Sequence, residues 1–493
     1  MPIRTLRGRC LLLSCALVLV FGAASASAAP EPGSDSAGDP YFPQDGNGGY
    51  RVAHYDLALR VDPESKQVDG TMTITAVATK DLSSFNLDFA DLGPVRTQVN
   101  GKPAAAAHAE ETELVVTPDR PLPSGKPFTA TVAYSFNEQE QADALGRPEL
   151  PGWVRTTSGG VAKFGEPGGA EYWFPSNNTP GNKASFKLTL TVPEGWIGLG
   201  GGKETPAVTK DGWTTSVWDE PNPVAMYLVP LAVDHFDVRR YALPAGQPVV
   251  VALNPDQPDY VRAAADRYPE VMAFLQEKLG PYPHSGAGGI FIDPGPGNQN
   301  FGGALETQTR PTYVSNWKDV DGEISVIVHE NAHEWYGDSV SVRQWRDICL
   351  NECFASYLQW MWEEAKEGQD LDQKYRDRVR ERWDDEDYWG HLLTDMCDGK
   401  EECDAGDVMN GQGVYDKGQL ALHALRRLIG DKAFGEILRG WPVRHSFGNA
   451  SWTEFEQYVQ QATRKDLGAF FHAWFHSGDR PADEYLFPGS LAQ

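Results

Sequence analysis

Two segments near the start of the chain, Tyr50 to Val61 and Gly70 to Val77, place apolar residues at every second position, the period of a half-buried strand. Shorter runs of the same kind follow at Glu113 to Thr117, Phe128 to Tyr134, Ser185 to Val192 and Ala225 to Val233, separated by Gly, Pro, Asn and Asp turns. Together they predict an all-β domain over 45–238. The stretch before it, 29–44, is rich in Pro, Gly, Ser and Asp and reads as a linker. From Asp259 the period lengthens. Tyr260, Ala264, Val271, Phe274 and Leu275 fall on one face of a helix that opens at Pro258-Asp259-Tyr260 and closes at Gly280. A short apolar strand, Gly289 to Ile292, comes next, and helical spacing prevails from there on, including Leu420, Leu422, Leu425 and Leu428. The pattern is that of an α+β multidomain chain, with a second, mostly helical domain over 239–493.

One helix carries chemistry. Asp321 is a suitable N-cap, Ile324, Ile327, Val328, Ala332 and Trp335 recur at helical spacing, and Gly337 is a natural stop. Residues four apart on a helix share a face, so His329 and His333 can point their imidazoles at one ion, with Glu330 held beside it. This is the H-E-x-x-H pattern, in which the two His bind zinc and the Glu acts as general base. A catalytic zinc takes three protein ligands. Glu352 is the nearest good candidate for the third, because the eighteen residues between it and His333 leave room for a loop and a second helix. That helix would bury Phe354, Tyr357, Leu358 and Met361.

Charge and cysteine usage narrow the setting. The formal charge is −26, from 43 Lys and Arg against 69 Asp and Glu, and no basic stripe interrupts it. Such a surface repels nucleic acid and anionic lipid. Residues 1–28 read as a secretory signal peptide: Arg4, Arg7 and Arg9 precede an apolar run from Cys10 to Ala24, then small residues at Ala26-Ser27-Ala28. That run is too short for a confident membrane span, and no later one approaches it. The expected product is a secreted, extracellular monomer without a membrane span. Four cysteines would remain, Cys349, Cys353, Cys397 and Cys403, an even number that suggests disulfides in one of three pairings.

His-Glu-x-x-His-x-Trp-Tyr-Gly at 329–337 followed by Leu-Asn-Glu-x-Phe-Ala-Ser-Tyr at 350–357 resembles the aminopeptidase N family of zinc metallopeptidases, which also contains the leukotriene-A hydrolases. The resemblance extends from about Asp39 to near the C-terminus. It implies a saddle-like β domain ahead of a thermolysin-like catalytic domain, one zinc ion, and peptide substrates with a free N-terminus. Gly303, Ala304, Leu305, Glu306 and Thr307 match the family's Gly-x-Met-Glu-Asn motif, with Leu for Met and Thr for Asn. There an edge strand aligns the peptide and the carboxylate, here Glu306, holds its α-ammonium. Glu166, in Phe164-Gly165-Glu166-Pro167, matches the third position of a Gln-x-Glu run that assists, although Phe164 replaces its first residue. Tyr415-Asp416-Lys417-Gly418 resembles Tyr-Glu-Lys-Gly and makes Tyr415 the donor to the oxyanion. Larger relatives continue into a further helical domain, whereas this chain stops at Gln493, so a more open cleft is expected. An endopeptidase or an epoxide-opening hydrolase on the same site, and a peptide-binding protein without turnover, stay open as alternatives. The side-chain preference at the N-terminal residue is not legible.

Overall fold

The computed structural model describes residues 1, 29–295, 303–314, 317, 319–397, 400 and 403–492, so the proposed leader at 2–28 lies outside the described residues. The period-two segments pair into an eleven-stranded sheet at whose centre Pro127–Asn137, Gln67–Ala78, Tyr50–Asp62, Ala184–Pro193 and Trp213–Val224 lie side by side. In Tyr50–Asp62 the buried side chains are Tyr50 and Val52, then Tyr55, Leu57, Leu59 and Val61. The odd step from Val52 to Tyr55 is a bulge, where the register against Gln67–Ala78 shifts. One extra residue restores the apolar phase to the core face.

A four-stranded sheet, in the order Ile197–Leu199, Leu231–Asp234, Val161–Lys163, Trp153–Arg155, brings the chain at 164–167 toward the second domain. The stretch expected as one strand at 225–233 is instead a 3₁₀ turn, Met226–Leu228, and the strand Leu231–Asp234, with Pro230 between them. Proline offers no N–H to a sheet ladder.

The linker expected at 29–44 is an ordered strap. Glu31–Pro32 pairs with Leu82–Asp88, and Asp39 is buried. Its carboxylate accepts from the backbone N–H groups of Tyr41 at 2.9 Å and of Trp345, in the other domain, at 2.8 Å. The Tyr41 hydroxyl donates to Asp395 Oδ1 at 2.7 Å. A turn-rich composition folds here because Asp39 satisfies the backbone and the aromatic residues that follow find a surface to cover.

The second domain opens earlier than expected. Position 238 lies inside Asp237–Ala242, the first strand of a five-stranded mixed sheet ordered Asp237–Ala242, Pro248–Leu253, Ala287–Ile292, Thr312–Val314, Gly303–Leu305. Gly303–Leu305, called β1 below, is its edge. The single helix expected up to Gly280 is two, Asp259–Asp266 and Tyr268–Leu279. Pro269 lacks the N–H that would continue the first helix and sits well in the opening turn of the second.

Three helices hold the site: α1 Val320–Ala332, α2 Cys349–Trp362 and α3 Gly418–Ile429. The N-cap of α1 is Asp319, not Asp321. The Asp319 side chain accepts from Gly322 N at 2.8 Å, and Asp321 falls in the first turn, where its charge favours the helix dipole. Regular helix ends at Ala332, short of Gly337. His333 keeps helical dihedrals, φ −60° and ψ −25°, and so stays on the face of His329. Helices α1 and α2 meet through Tyr336, stacked on Phe354 with ring centroids 4.4 Å apart. Helices α2 and α3 meet at Gly418, where a Cβ would lie 2.4 Å from Cys353 Sγ. Cys353 is tied to Cys349, and Cys397 to Cys403, which selects one of the three pairings.

Gly418→Ala is therefore expected to destabilise the chain by about 1–3 kcal/mol, the usual cost of overpacking. Denaturant unfolding of the two proteins measures it, and equal midpoints would contradict this packing.

Candidate metal centre and substrate cleft

Helix α1 supplies His329 and His333 and the first turn of α2 supplies Glu352, all buried. Both histidines turn Nε2 to the same carboxylate oxygen. His329 Nε2 lies 3.1 Å and His333 Nε2 3.5 Å from Glu352 Oε2. The opposite ring nitrogens are engaged as well: His329 Nδ1 with Gln359 Oε1 at 3.3 Å, and His333 Nδ1 with the Tyr336 carbonyl at 2.9 Å. Donation from Nδ1 leaves the Nε2 lone pairs facing inward, the arrangement in which a protein sets the tautomer of a metal-binding histidine.

The charges agree with that reading. Burial alone would raise the Glu352 carboxyl, but His333 and His329 overcome this and hold it well below the usual carboxylate range. Burial would likewise lower His333, yet Glu352, Glu306 and Glu330 bring it up to about 10. The pocket thus takes one positive charge among three converging ligand atoms, and a divalent cation would replace that proton. One atom each of His329, His333 and Glu352 lies within 4.8 Å of the others. Two neutral nitrogens and one carboxylate suit zinc.

Around this centre stand three more carboxylates. Glu306, next after β1, and Glu330 each place an oxygen within 4.8 Å of His333 and of each other, and Glu166 does so with Glu306 and Glu352. Burial first, then its acidic neighbours, pushes Glu166 and Glu330 well above the ordinary glutamate value. Burial and Glu352 bring Glu306 up to about 7, against the pull of His333. Glu306 Oε1 and Glu166 Oε1 are buried with no hydrogen-bond partner. Two free acceptors in so acidic a pocket are matched by a cationic donor.

Gly303 and Ala304 lie in β1, paired on one side with Thr312–Val314. β1 is the edge of its sheet, so among the described residues its other side has no strand partner and an extended chain could add there. Tyr415 sits in the π-type turn Gly411–Lys417 ahead of α3. Its ring is 5.7 Å from that of His329, and among the described residues its hydroxyl donates only to Met409 Sδ, at 3.8 Å, a weak acceptor. Burial, then Glu352, Glu166, Glu306 and Glu330, raises the phenol well above its ordinary value, so its proton is kept for donation. The turn is pinned by Lys417, which donates to the carbonyls of Trp389 and His391 at 2.8 and 2.6 Å.

The structure thus brings His329, His333, Glu352, Glu330, Glu306, Glu166, Tyr415 and the β1 backbone to one place. Sequence reasoning missed two members. Gln359 lies two turns after Glu352 on the same face of α2, a spacing that could have found it; its Nε2 also donates to Ser325 Oγ at 2.9 Å. Tyr227, whose buried hydroxyl has no hydrogen-bond partner among the described residues and whose phenol is raised by burial and then by Glu306 and Glu166, comes from the β domain and left no local signal. The Asn331 amide donates to the Tyr313 hydroxyl at 2.8 Å, tying α1 to the sheet.

Comparison with known proteins agrees with this geometry. The Peptidase family M1 domain matches residues 308–474, and the Peptidase M1 N-terminal domain matches 52–228. This chain belongs to the M1 peptidase family, that of aminopeptidase N. Aminopeptidase N of Lactobacillus helveticus is 25% identical over 461 residues, 88% of this chain and 51% of that protein. Human glutamyl aminopeptidase is 24% identical over 475 residues, 85% of this chain and 46% of that protein. The chain spans about half the length of these curated relatives. A variant of an M1 zinc metallopeptidase from Deinococcus radiodurans superposes with a TM-score of 0.76 at 25% identity, covering 91% of this chain and 99% of that one. The same metallopeptidase has been solved with a Tyr-Ser-Ala substrate, with a TM-score of 0.75 to this chain. The M1 architecture of a sheet-rich N-terminal domain and a helical catalytic domain, and the use of a zinc ion, follow from this membership.

Replacing Gln359 by Leu frees His329 Nδ1 and is expected to weaken zinc binding roughly 10–100-fold, as losses of such supporting partners do. Competition against a chromophoric chelator reads this directly, and an unchanged affinity would remove Gln359 from the site.

Proposed function

We propose that this chain is a zinc-dependent aminopeptidase that releases residues one at a time from the N-terminus of extracellular peptides. The observation that carries this reading is the position of Glu306, a buried carboxylate with a free oxygen, within reach of both Glu330 and the ligand His333. An α-ammonium held there leaves space for a single residue before the scissile carbonyl reaches the metal ligands. That fixed charge separates an exopeptidase from an endopeptidase.

When bound by His329, His333 and Glu352, zinc supplies Lewis-acid polarisation of the carbonyl and activation of water. Glu330 takes a proton from the water as its oxygen forms a bond to the first peptide carbon. The same carboxyl then gives that proton to the departing amine as the C–N bond breaks. Tyr415 donates to the oxyanion of the tetrahedral species. Glu306 and Glu166 accept from the α-ammonium, and β1 orders the peptide through its free backbone edge.

Export is part of the same proposal. It is supported by the leader-like pattern at 1–28 and by two disulfides, which persist in oxidising compartments. Among the described residues no helix is long and apolar enough to cross a membrane.

A panel of aminoacyl chromogenic amides, each beside its N-acetylated twin and with and without a zinc chelator, tests the reading. Cleavage of only the free-amine substrates, lost with chelator, is expected. Hydrolysis of the acetylated twins would replace it with an endopeptidase, and intact substrates with zinc bound would replace it with a binding protein. Glu330→Gln should abolish turnover with metal content unchanged. Tyr415→Phe should lower kcat roughly 10²–10³-fold. Glu306→Gln should cost about 2–5 kcal/mol in kcat/KM, the range for breaking a buried charge pair.

A further inference from the structure

A second group of buried ligand-type side chains lies behind the zinc ligands. His284 sits in the turn between helix Tyr268–Leu279 and strand Ala287–Ile292. Glu334 follows His333 directly, and the backbone N–H of Asp338 donates to the His333 carbonyl at 2.9 Å. The exposures of His284, Glu334 and Asp338 are 2%, 0% and 0%, and one ligand atom of each lies within 4.8 Å of the others.

Their hydrogen bonding is incomplete in a consistent way. His284 Nε2 lies 2.9 Å from the Glu334 carbonyl, to which it donates, and 3.4 Å from Glu334 Oε2, so Nδ1 carries the lone pair; Nδ1 has no hydrogen-bond partner among the described residues. Glu334 Oε2 accepts from Thr309 N at 3.2 Å and the Tyr282 hydroxyl lies beside the same carboxylate, whereas among the described residues Glu334 Oε1 and both carboxylate oxygens of Asp338 have no hydrogen-bond partner. The nearby cations do not fill the gap. Lys183 donates to the backbone carbonyls of Asp338 and Ser339 at 2.9 and 3.0 Å. Arg310 donates to those of Gly200 and Gly202 at 2.8 and 2.7 Å. Buried carboxylate oxygens of Glu334 and Asp338 therefore lie close to one another and to an imidazole without a full set of donors among the described residues, a costly arrangement unless a cation joins them.

We propose that His284, Glu334 and Asp338 form a second metal site, taking a structural divalent ion of the class bound by imidazole and carboxylate, such as zinc or manganese. One imidazole and two carboxylates suit such ions better than the all-oxygen shells of calcium. The ion would join the end of α1 and the turn at 337–339 to the loop before Ala287–Ile292. It would brace His333 from behind and take no part in the reaction. This inference stands on its own residues and does not depend on the peptidase reading.

The test is metal content of the full chain, produced in medium supplemented with zinc or with manganese and passed through gel filtration. Two equivalents per chain are expected in the wild type. One is expected in His284→Gln, with aminopeptidase activity kept, and one in Glu352→Gln, where the second site alone is filled. Anomalous diffraction at the metal edge should place a peak between His284, Glu334 and Asp338. This decides the matter even if His284→Gln and Asp338→Asn fail to fold. A single equivalent in the wild type with both metals, two equivalents in folded His284→Gln, or no peak at that position would overturn the proposal.

Discussion

The structure depends on the convergence of three buried carboxylates, those of Glu306, Glu330 and Glu352, and the half-buried Glu166, on two histidines. Desolvating that much like charge is expensive. The chain manages it by confining the charge to one cleft and drawing the participants from separate rigid elements. His329, Glu330 and His333 share one helix, Glu352 opens the next, Glu306 follows a sheet edge, and Glu166 hangs from the β domain. Each glutamate is held by its own element, so repulsion cannot be relieved by moving apart. Cation binding is the remaining way to relieve it. One cation belongs among His329, His333 and Glu352, and another, the substrate ammonium, between Glu306 and Glu166.

This explains why the two domains are needed together. Helices α1 and α2 could in principle assemble the ligand triad alone, but Glu166 and Tyr227 arrive from the other domain. The strap at 31–42 caps Trp345 just ahead of α2 through Asp39. The orientation of α2, and with it Glu352, is thus set partly by residues three hundred positions earlier in the chain. Close packing of Gly418 on Cys353 fixes α3 against the same helix and delivers the tyrosine turn to the metal side. Contacts without chemistry of their own fix the distances on which the chemistry rests.

How much of this was legible follows the range of the interactions. His329, Glu330 and His333 are set by helical periodicity over five residues, and Glu352 by a spacing a loop and a turn can cross, so local pattern was enough. The β domain was legible because alternation survives even where a bulge shifts its phase. Glu306, Glu166 and Tyr415 could be named only through family resemblance, since nothing near them in sequence says that they meet. The strap and the pair of helices at 259–279 were misread for opposite reasons. Composition suggested flexibility where Asp39 supplies caps, and periodicity suggested continuity where Pro269 removes a donor. Tyr227 was missed because its significance lies wholly in what crosses from the other domain.

The end of α1 and the residues just after it make polar contacts on their buried side. Asn331 bonds to Tyr313, and Glu334 accepts from Thr309, both on the sheet side and turned away from the cleft. The face of α1 toward the metal carries His329 and Glu330, while Asn331 turns a polar contact to the scaffold. Polar contacts on a buried face cost more than apolar packing when incomplete and define geometry more tightly when complete. Here the donors are placed, Asn331 to Tyr313 and Thr309 to Glu334, and they act on a helix that presents two ligands four residues apart. A small rotation about its axis would move His329 and His333 together off Glu352, and directional bonds on the far face resist rotation better than apolar side chains can.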